Sequence, residues 1–422
     1  MIAENFKSVA RCVIAGGGQV VVDGDYAFIG HMDPPHGTSI LDVSNPATPK
    51  VVGHIALEGE ASHSHKVRVI HDGTIMITNL ERARRGFFRK GRAALAAKQR
   101  LEKELGRDPS PQEIADAAEV GVEQVPEFVV AGAVPYDDGG IRIWDIKDKT
   151  APKLITHVKT GSDGSHRFDV DDNYIYVSSG KEGFSGNILQ IFDIGDPAKP
   201  EPVADWWVPG QNVAAGETPP LAHGAVQLHH AMRCGDELWA GCWYGGLAGI
   251  DVSDISKPTT FARYDYHPAF PHPTHTVMRP PFKIGGKDII VCIDEEASHV
   301  RGQAHAFLWF FELVDGTELK PISTFHVAEG ETPYARDGAR FGAHQYQEHF
   351  DGRPLLFGTW FSAGLRAVDF SDPFRPKEVG AFIPEPMEEG RNLQTNDVEV
   401  DSRGLVYVLD RFRGLDIAEF TG

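Results

Sequence analysis

Cysteine is scarce in this sequence, and its few copies are not paired at short spacing. The cysteines are Cys12, Cys234, Cys242 and Cys292. Without a C-x-x-C pair a zinc finger is excluded, and a buried free thiol is the default for each. Long apolar runs are also missing, since none reaches the ~18 residues of a membrane-spanning helix. Glu4 and Lys7 interrupt the start of the chain, which excludes a signal peptide, so we expect a soluble cytoplasmic protein with no membrane partner.

Positive charge is the second shortage. The chain has 41 basic and 60 acidic side chains, a net charge of -19. Such a surface repels phosphate backbones, so nucleic acid is not an expected partner. The 422 residues, 41% of them hydrophobic, are ample for a buried core.

Glycine and proline are abundant, with 45 and 28 copies that punctuate short apolar runs, which predicts many short antiparallel strands. One pattern recurs: an apolar strand ends at an Asp, and prolines follow. Its copies are residues 39–46, 141–148, 189–197, 248–254 and 365–373, with a degenerate copy at 310–314 and a truncated one at 415–417. We expect the Asp to cap the turn that proline fixes. These repeats resemble the LVIVD-repeat β-propeller family over nearly all of the chain outside one insertion.

The resemblance and the repeat count together predict an all-β fold, a seven-bladed β-propeller with an α-helical insertion in blade two. The units start near Gly17, His63, Ser165, His229, His272, Ala343 and Thr395. The last unit lacks a fourth strand, and the strand-like residues 6–14 are expected to supply it and close the ring. The predicted propeller thus comprises residues 1–81 and 135–422, and the insertion residues 82–134.

The insertion has the composition of helices, and Ser110 and Glu113 stand at the spacing of a capping box. It falls between the second and third strands of its blade, so we expect it to hang over the mouth of the channel as a lid. Residues 101–125 also resemble the helix-turn-helix of bacterial sigma factors. The alternatives are DNA contact, favoured by the basic run Arg82 to Arg92, and a small helical subdomain, favoured by the overall acidity.

Histidine opens several equivalent strands, each preceded by a loop and followed by an apolar run. The positions are His65, His166, His230, His275 and His344. In the last unit the equivalent position is Asn396. A single such histidine is more often a hydrogen-bonded spacer than a ligand. First strands line a propeller channel, so five at matching positions predict one axial metal site. If the predicted register of a first strand is off by one or two residues, a nearby histidine would take the place of the ring member. These alternatives are His63, His229 and His272.

An imidazole set favours a transition metal over Mg or Ca, with Fe(II) first, then Cu and Zn. The ring is similar to that of the carotenoid-cleaving oxygenases, whose seven-bladed propeller holds iron with four histidines. It also resembles the selenium-binding-protein and methanethiol-oxidase family, in which propeller histidines bind copper. Neither resemblance extends beyond fold and ring, so neither implies a substrate.

The ends of the second strands predict a substrate pocket on the same face. Equivalent positions there differ in chemistry, as a pocket requires and a structural repeat does not. They are His31, Asn79, Gly180, Trp243, Asp294, Trp360 and Arg411. Trp243, Tyr244, Trp360 and Phe361 would stack on a substrate, or else simply pack between blades. Asp294, Glu295 or Glu296 would act as a base or orient a ligand.

We therefore predict catalytic roles for Asp294 and Arg411, and substrate contacts from seven further residues. These are His31, Asn79, Trp243, Tyr244, Glu296, Trp360 and Phe361. Three long connections, 209–222, 329–342 (with Arg336 and Arg340) and 384–393 (with Arg391), are expected to roof the same mouth.

Three functions follow from this pattern. The first is a metal-dependent oxidoreductase or oxygenase acting on a small organic substrate, aromatic or sulfur-containing. The second is a hydrolase or lyase with a metal-activated water. The third is a non-catalytic propeller scaffold. Each of these functions is compatible with a homo-oligomer.

Overall fold

The computed structural model describes residues 1–219, 224–297, 304–331 and 339–422. Parts of the connections 209–222 and 329–342 lie outside these ranges, as does Arg336. Within the described residues the chain consists mainly of short strands, with helices concentrated in one segment. No helix in that part of the chain is both long and apolar enough to cross a membrane.

The strands of the first half are β1 Ile2–Glu4, β2 Phe6–Ala15, β3 Gly17–Asp23, β4 Tyr26–His31, β5 His36–Asp42, β6 Lys50–Ala56, β7 Ser62–His63, β8 Val67–Ile70, β9 Ile75–Arg82, β10 Gly140–Asp145, β11 Lys153–Lys159, β12 Gly161–Val170, β13 Tyr174–Gly180, β14 Asn187–Asp193 and β15 Glu201–Trp206. Those of the second half are β16 Val226–Cys234, β17 Glu237–Trp243, β18 Leu247–Asp251, β19 Thr259–Tyr264, β20 Thr274–Met278, β21 Asp288–Asp294, β22 Leu308–Val314, β23 Glu318–Phe325, β24 Phe341–Tyr346, β25 Leu355–Phe361, β26 Leu365–Asp369, β27 Lys377–Ile383, β28 Thr395–Val400, β29 Leu405–Asp410 and β30 Arg413–Phe420.

Consecutive strands pair antiparallel in meanders of four, which we call units. They are β3–β6, β8–β11, β12–β15, β16–β19, β20–β23 and β24–β27. The strands β28, β29 and β30 form a further unit with β2, in which Phe6 lies opposite Phe420 and Ala15 opposite Arg413. The N-terminal strand therefore completes the sheet that the C-terminal strand leaves open.

In five units the repeated Asp at the end of the third strand caps its turn, as the sequence predicts, whereas the third strand β22 ends at Val314. Each carboxylate accepts a hydrogen bond from the backbone N–H two residues later, and this fixes the turn into the outer strand. The bonds are Asp42 to Ser44 at 2.9 Å, Asp145 to Lys147 at 2.9 Å, Asp193 to Gly195 at 2.7 Å, Asp251 to Ser253 at 2.8 Å and Asp369 to Ser371 at 2.8 Å.

The core lies between neighbouring units rather than within them. One cluster joins Leu189 of β14 to Leu238 of β17. Another joins Val20 of β3 to Leu409 of β29, so the first unit packs against the last. Neighbouring units pack their apolar faces together, and the first unit packs against the last. The sheets are therefore arranged around an axis.

The helices lie between β9 and β10, which pair directly with one another. They are α1 Arg85–Leu105, α2 Pro111–Ala118 and α3 Val125–Gly132. The predicted capping box is confirmed, because Ser110 and Glu113 each accept from the other's backbone N–H. Several side chains of the basic run are used inside the protein: Arg92 binds Asp163 at 2.5 Å, and Arg82 covers the ring of Phe88.

Candidate metal centre

The first strands of the units share a bulge that turns one residue out of the ladder. In each of these strands the pairing with the second strand is interrupted. It resumes at the residue that follows the turned-out one. The turned-out residues are Gly18, His166, His229, His275, His344 and Asn396. His65 holds the same place before Lys66, whose carbonyl accepts from Asn79. Gly18 has no space for a side chain, since a Cβ there would lie 2.5 Å from that of His65.

The histidines of these positions form an arc in which each ring contacts the next. Successive ring centroids are 5.1 Å apart from His65 to His166, 4.8 Å to His229, 3.8 Å to His275 and 4.6 Å to His344. All five border one cavity of about 710 Å³. Glu81, Glu295, Arg167, Arg411 and the start of α1 complete its wall. We call it the histidine cavity.

His230 departs from the sequence prediction, and His229 takes its place in the arc. The Nδ1 of His230 lies 3.5 Å from Glu348, and its Nε2 lies 3.2 Å from the carbonyl of Phe168, away from the histidine cavity. The physical reason is the bulge between Val226 and His230, which returns His230 to the ladder and leaves His229 turned out.

A second layer lies beneath the arc, built from the residues that follow it. Gln19, Lys66, Arg167, His230, Thr276, Gln345 and Asp397 occupy these positions. At this level the buried Glu348 accepts from Lys66 at 2.6 Å, from Gln345 at 2.7 Å and from Gln19 at 2.8 Å, and it also pairs with Arg68. We call this set the Glu348 layer.

The hydrogen-bond partners divide the five imidazoles into two groups. The Nδ1 of His229 donates to the carbonyl of His275 at 2.7 Å, and that of His344 to the carbonyl of Asn396 at 2.5 Å. The Nδ1 of His275 lies 3.1 Å from the Thr276 hydroxyl. A proton on Nδ1 leaves the Nε2 lone pair open, and the buried Nε2 of His229 has no hydrogen-bond partner in the described chain.

His65 and His166 are differently engaged. The Asn79 amide lies 3.3 Å from the Nδ1 of His65, an arrangement in which the amide donates and the proton of the ring sits on Nε2. The Nδ1 of His166 donates to Glu81 at 3.0 Å, and its Nε2 lies 3.5 Å from Arg85. These two rings have less freedom to offer a lone pair to the cavity.

Burial keeps the arc uncharged. It lowers the pKa of His229 and His275 well below the ordinary value, with neighbouring histidines and Arg167 adding to the effect. Burial also lowers the pKa of His344 to about 3, despite the opposing charge of Glu295. Neutral imidazole is the form that binds metal ions.

Four carboxylates border the cavity, those of Asp33, Glu60, Glu81 and Glu295, and the last two lie beside the arc. The ligand atoms of Glu295, His275 and His344 all lie within 4.8 Å of one another. Burial opposes ionisation of Glu295, but Arg340 and further neighbouring groups, Arg411 among them, together outweigh it and hold the pKa of Glu295 below its usual range. Glu81 is instead saturated, by Arg85 at 2.6 Å, His63 at 2.9 Å and His166 at 3.0 Å. Glu295 directly follows Asp294 at the end of a second strand, and Glu81 lies two residues after the corresponding Asn79.

The residues on either side of Glu295 lie elsewhere. Asp294 is fully buried between units, where it accepts from Trp309 at 2.7 Å and from Tyr266, and burial raises its pKa to about 7. Glu296 accepts from the backbone N–H of Ala306 at 2.8 Å. Successive side chains of an extended segment point to opposite faces, so only Glu295 reaches the cavity.

The aromatic residues predicted for substrate contact mostly support the arc. Trp243 stacks on His229 with centroids 6.3 Å apart, and Phe361 lies 4.6 Å from His344. Trp360 is completely buried against Phe325. Tyr244 lies 5.4 Å from His267. For Trp360 the arrangement is packing between units.

The remaining predicted positions have distinct surroundings. The Nε2 of His31 lies 2.7 Å from the Ser39 hydroxyl and away from the histidine cavity. Asn79 is buried and donates to the carbonyl of Ser165 at 2.8 Å, so it orients the arc. Arg411 lines the histidine cavity and donates to Asn396 at 3.1 Å.

The LVIVD repeat family matches residues 17–56, the unit β3–β6. No curated protein matches the sequence. Similar solved structures include the C-terminal WD40 domain of Sif2, at 9% identity over 100% of both chains with a TM-score of 0.56. A chain of the mitotic checkpoint complex is 10% identical over 99% of this chain and 97% of that one, with a TM-score of 0.54. The designed Ika8 protein is 6% identical over 97% and 99%, with a TM-score of 0.50.

At these identities the likeness concerns the fold alone. The protein is a β-propeller, and it carries an LVIVD repeat at residues 17–56. The predicted repeat resemblance and the β-propeller class are therefore confirmed.

Proposed function

We propose that this β-propeller is a metal-dependent oxidoreductase whose ion is held at one mouth of the axial channel. The proposed fold has seven blades, the units above, with β2 closing the last. Residues 1–81 and 135–422 form the propeller, and residues 82–134 are a helical insertion in blade two.

The observation that carries the proposal is the shared state of His229, His275 and His344 beside Glu295. Each Nδ1 has a partner on the far side of its ring, which fixes the ring and leaves Nε2 toward the cavity. Metal-binding histidines are held in this way by their outer nitrogen. Glu295 supplies a carboxylate within reach of two of them. Three imidazoles and one carboxylate suit a borderline transition metal, and we favour Fe(II), then Cu and Zn.

The donor set favours redox chemistry over hydrolysis. A bound Fe or Cu ion would supply dioxygen activation or electron transfer. Hydrolysis gains from a carboxylate base whose pKa lies near neutrality. Arg85 and Arg340 instead lower the pKa values of Glu81 and Glu295 against the effect of burial, so both are weak bases.

The start of the helical segment supports a role as a lid. Arg84, Arg85, Gly86 and Phe87 border the histidine cavity. In this proposal α1 excludes water from the site and limits the size of a small organic substrate that enters.

Elemental analysis of purified protein tests the metal site. We expect one transition-metal ion per chain, lost in the double variant His275→Ala, His344→Ala. The matched control is His230→Ala, which removes an imidazole adjacent to His229 in sequence but belonging to the Glu348 layer, and it should keep the metal. Full metal content in the double variant, or loss only in the control, would contradict the site. Substrate-dependent dioxygen consumption then tests the redox assignment.

A further inference from the structure

Two of the arginines that border the histidine cavity are at least partly buried and have no acidic partner at contact distance among the described residues, whereas Arg84 is exposed and covers the ring of Phe87. Arg85 is paired with Glu81 at 2.6 Å, and Arg340 with Glu295 at 2.5 Å. Among the described residues, no carboxylate oxygen lies within 4.0 Å of Arg167 or Arg411, although both line the cavity. The cavity therefore holds two positive charges that the protein leaves uncompensated at contact distance.

Arg167 is the more deeply placed of the two. It is 3% exposed, and its Nε and Nη1 find no acceptor among the described residues. Its charge contributes to the lowered pKa values of His65, His229 and His275, so it lies close to the whole arc. A buried guanidinium without acceptors is costly unless something else supplies them.

Arg411 stands in the side wall of the cavity. Its Nη1 donates to Asn396, which is itself fixed by a 2.9 Å hydrogen bond to the carbonyl of Gly18. Burial and the neighbouring Arg340 lower the pKa of Arg411 to about 10, and it stays charged at neutral pH. Its guanidinium also borders an adjoining cleft with Arg391 and Asn392.

We propose that the histidine cavity binds a small monocarboxylic acid, with the carboxylate held by Arg411 and facing Arg167. A planar guanidinium matches a carboxylate through two parallel hydrogen bonds. Met32, Pro34 and Phe87 supply an apolar wall for the rest of the molecule. Asp33, Glu60, Glu81 and Glu295 border the same space, and the chain carries a net charge of -19, so a polyanion is disfavoured.

This inference names the substrate class of the proposed enzyme and rests on that function for its chemistry, but the binding itself does not require the metal. The test is calorimetric titration of metal-free protein with benzoate and with its neutral isostere benzamide. We expect benzoate to bind and benzamide to bind at least tenfold more weakly. Arg411→Gln should weaken benzoate binding by about 10- to 100-fold, the range for hydrogen bonds to a charged group.

Two variants complete the test. Arg411→Lys keeps the positive charge but loses the parallel N–H donors of the guanidinium. Its affinity for benzoate should lie between those of Arg411→Gln and the parent. Arg391→Gln is the matched control, because Arg391 pairs with Glu388 outside the histidine cavity, and it should bind benzoate as the parent does. Circular dichroism of each variant verifies folding, and Arg167→Met replaces Arg411→Gln if the latter is unfolded.

The outcomes separate this inference from the proposed function. Equal binding of benzamide and benzoate, unchanged binding in a folded Arg411→Gln, or tighter binding of inorganic phosphate would overturn the carboxylate site. Metal content, measured on the same preparations, decides the metal site independently. Benzoate binding by a protein that never retains metal would uphold the anion site and refute the enzyme.

Discussion

The pockets at the two mouths of the axial channel have similar volumes, but they differ in whether their charged side chains are paired. The histidine cavity measures about 710 Å³, and the pocket beyond the Glu348 layer about 760 Å³. In that second pocket the charges are paired: Asp401 with Arg403 at 2.7 Å, Arg68 with Asp169 at 3.2 Å, and His349 with Glu399 at 3.0 Å.

Volume therefore does not distinguish a binding site in this protein, whereas unused hydrogen-bonding capacity does. Around Glu348 the layer is paired through Lys66, Arg68 and Gln345, and this part acts as a structural plug between the mouths. Among the described residues, the wall of the histidine cavity keeps imidazole nitrogens without partners on His65 and His229, and Arg167 of the Glu348 layer borders this cavity with unsatisfied donors. Substitutions of paired and of unpaired buried charges should accordingly have opposite consequences for the free energy of unfolding.

The largest effect is expected from Glu348→Gln. It leaves the buried Lys66 without its anion, and breaking a buried pair costs about 3–5 kcal/mol. Urea unfolding measures the loss. Adding Lys66→Met should restore most of the stability, because the unpaired charge is then removed as well. A single variant as stable as the parent would show that Glu348 is not the plug described here.

Within the Glu348 layer, Asp397 should give the protein a pH dependence. Burial raises its pKa to about 7, against the opposing charges of Arg167 and Lys66. The folded state thus holds a proton that the unfolded state releases near pH 4, so this group makes the protein less stable as pH rises from 4 to 7. Asp397→Asn should match the parent at pH 4 and exceed it by a few kcal/mol at pH 8. A constant difference across that range would contradict the assignment.

Arg167→Met should raise the stability of the metal-free protein by about 1–3 kcal/mol, because it removes a buried cation with unsatisfied donors. Lys66→Met, the neighbouring position of the same ring of residues, should lower it, because Lys66 is paired. Thermal unfolding of the two variants side by side provides the measurement. A shift of both variants in the same direction would contradict the distinction between paired and unpaired buried charges.

The smallest effect belongs to the rim of the second pocket. Arg353 and Asp351 form an ion pair whose side chains are 57% and 44% exposed. Arg353→Ala should change the free energy of unfolding by less than about 1 kcal/mol, as is usual for exposed pairs. A much larger loss by urea unfolding would mean that the second mouth is more than a solvated rim.

The repeats predicted much of the fold because strand ends and turns are local. The Asp-capped turns, the capping box of α2 and the strand that each histidine opens can be read from neighbouring residues. Four of the five predicted histidines border one cavity for the same reason. In the adjacent pair His229 and His230, the choice depends on where a bulge interrupts pairing, and either residue fits the sequence pattern.

The carboxylates were harder to assign. Asp294, Glu295 and Glu296 are consecutive acids, and only strand direction decides that the middle one faces the axis. The lack of an acidic partner at Arg167 cannot be seen in sequence at all, because its potential partners are distant along the chain. The choice of His229 over His230 likewise needs the strand pairing, because the turned-out residue is the one just before pairing resumes.

Pairing between β2 and β30 has a consequence for synthesis of the protein on the ribosome. Residues 6–15 leave the ribosome well before their partner, which is made about 400 residues later. At roughly 5–20 residues per second, that strand waits tens of seconds with its backbone donors unmatched. A nascent chain of this kind is exposed to pairing with foreign strand edges until the last hairpin emerges.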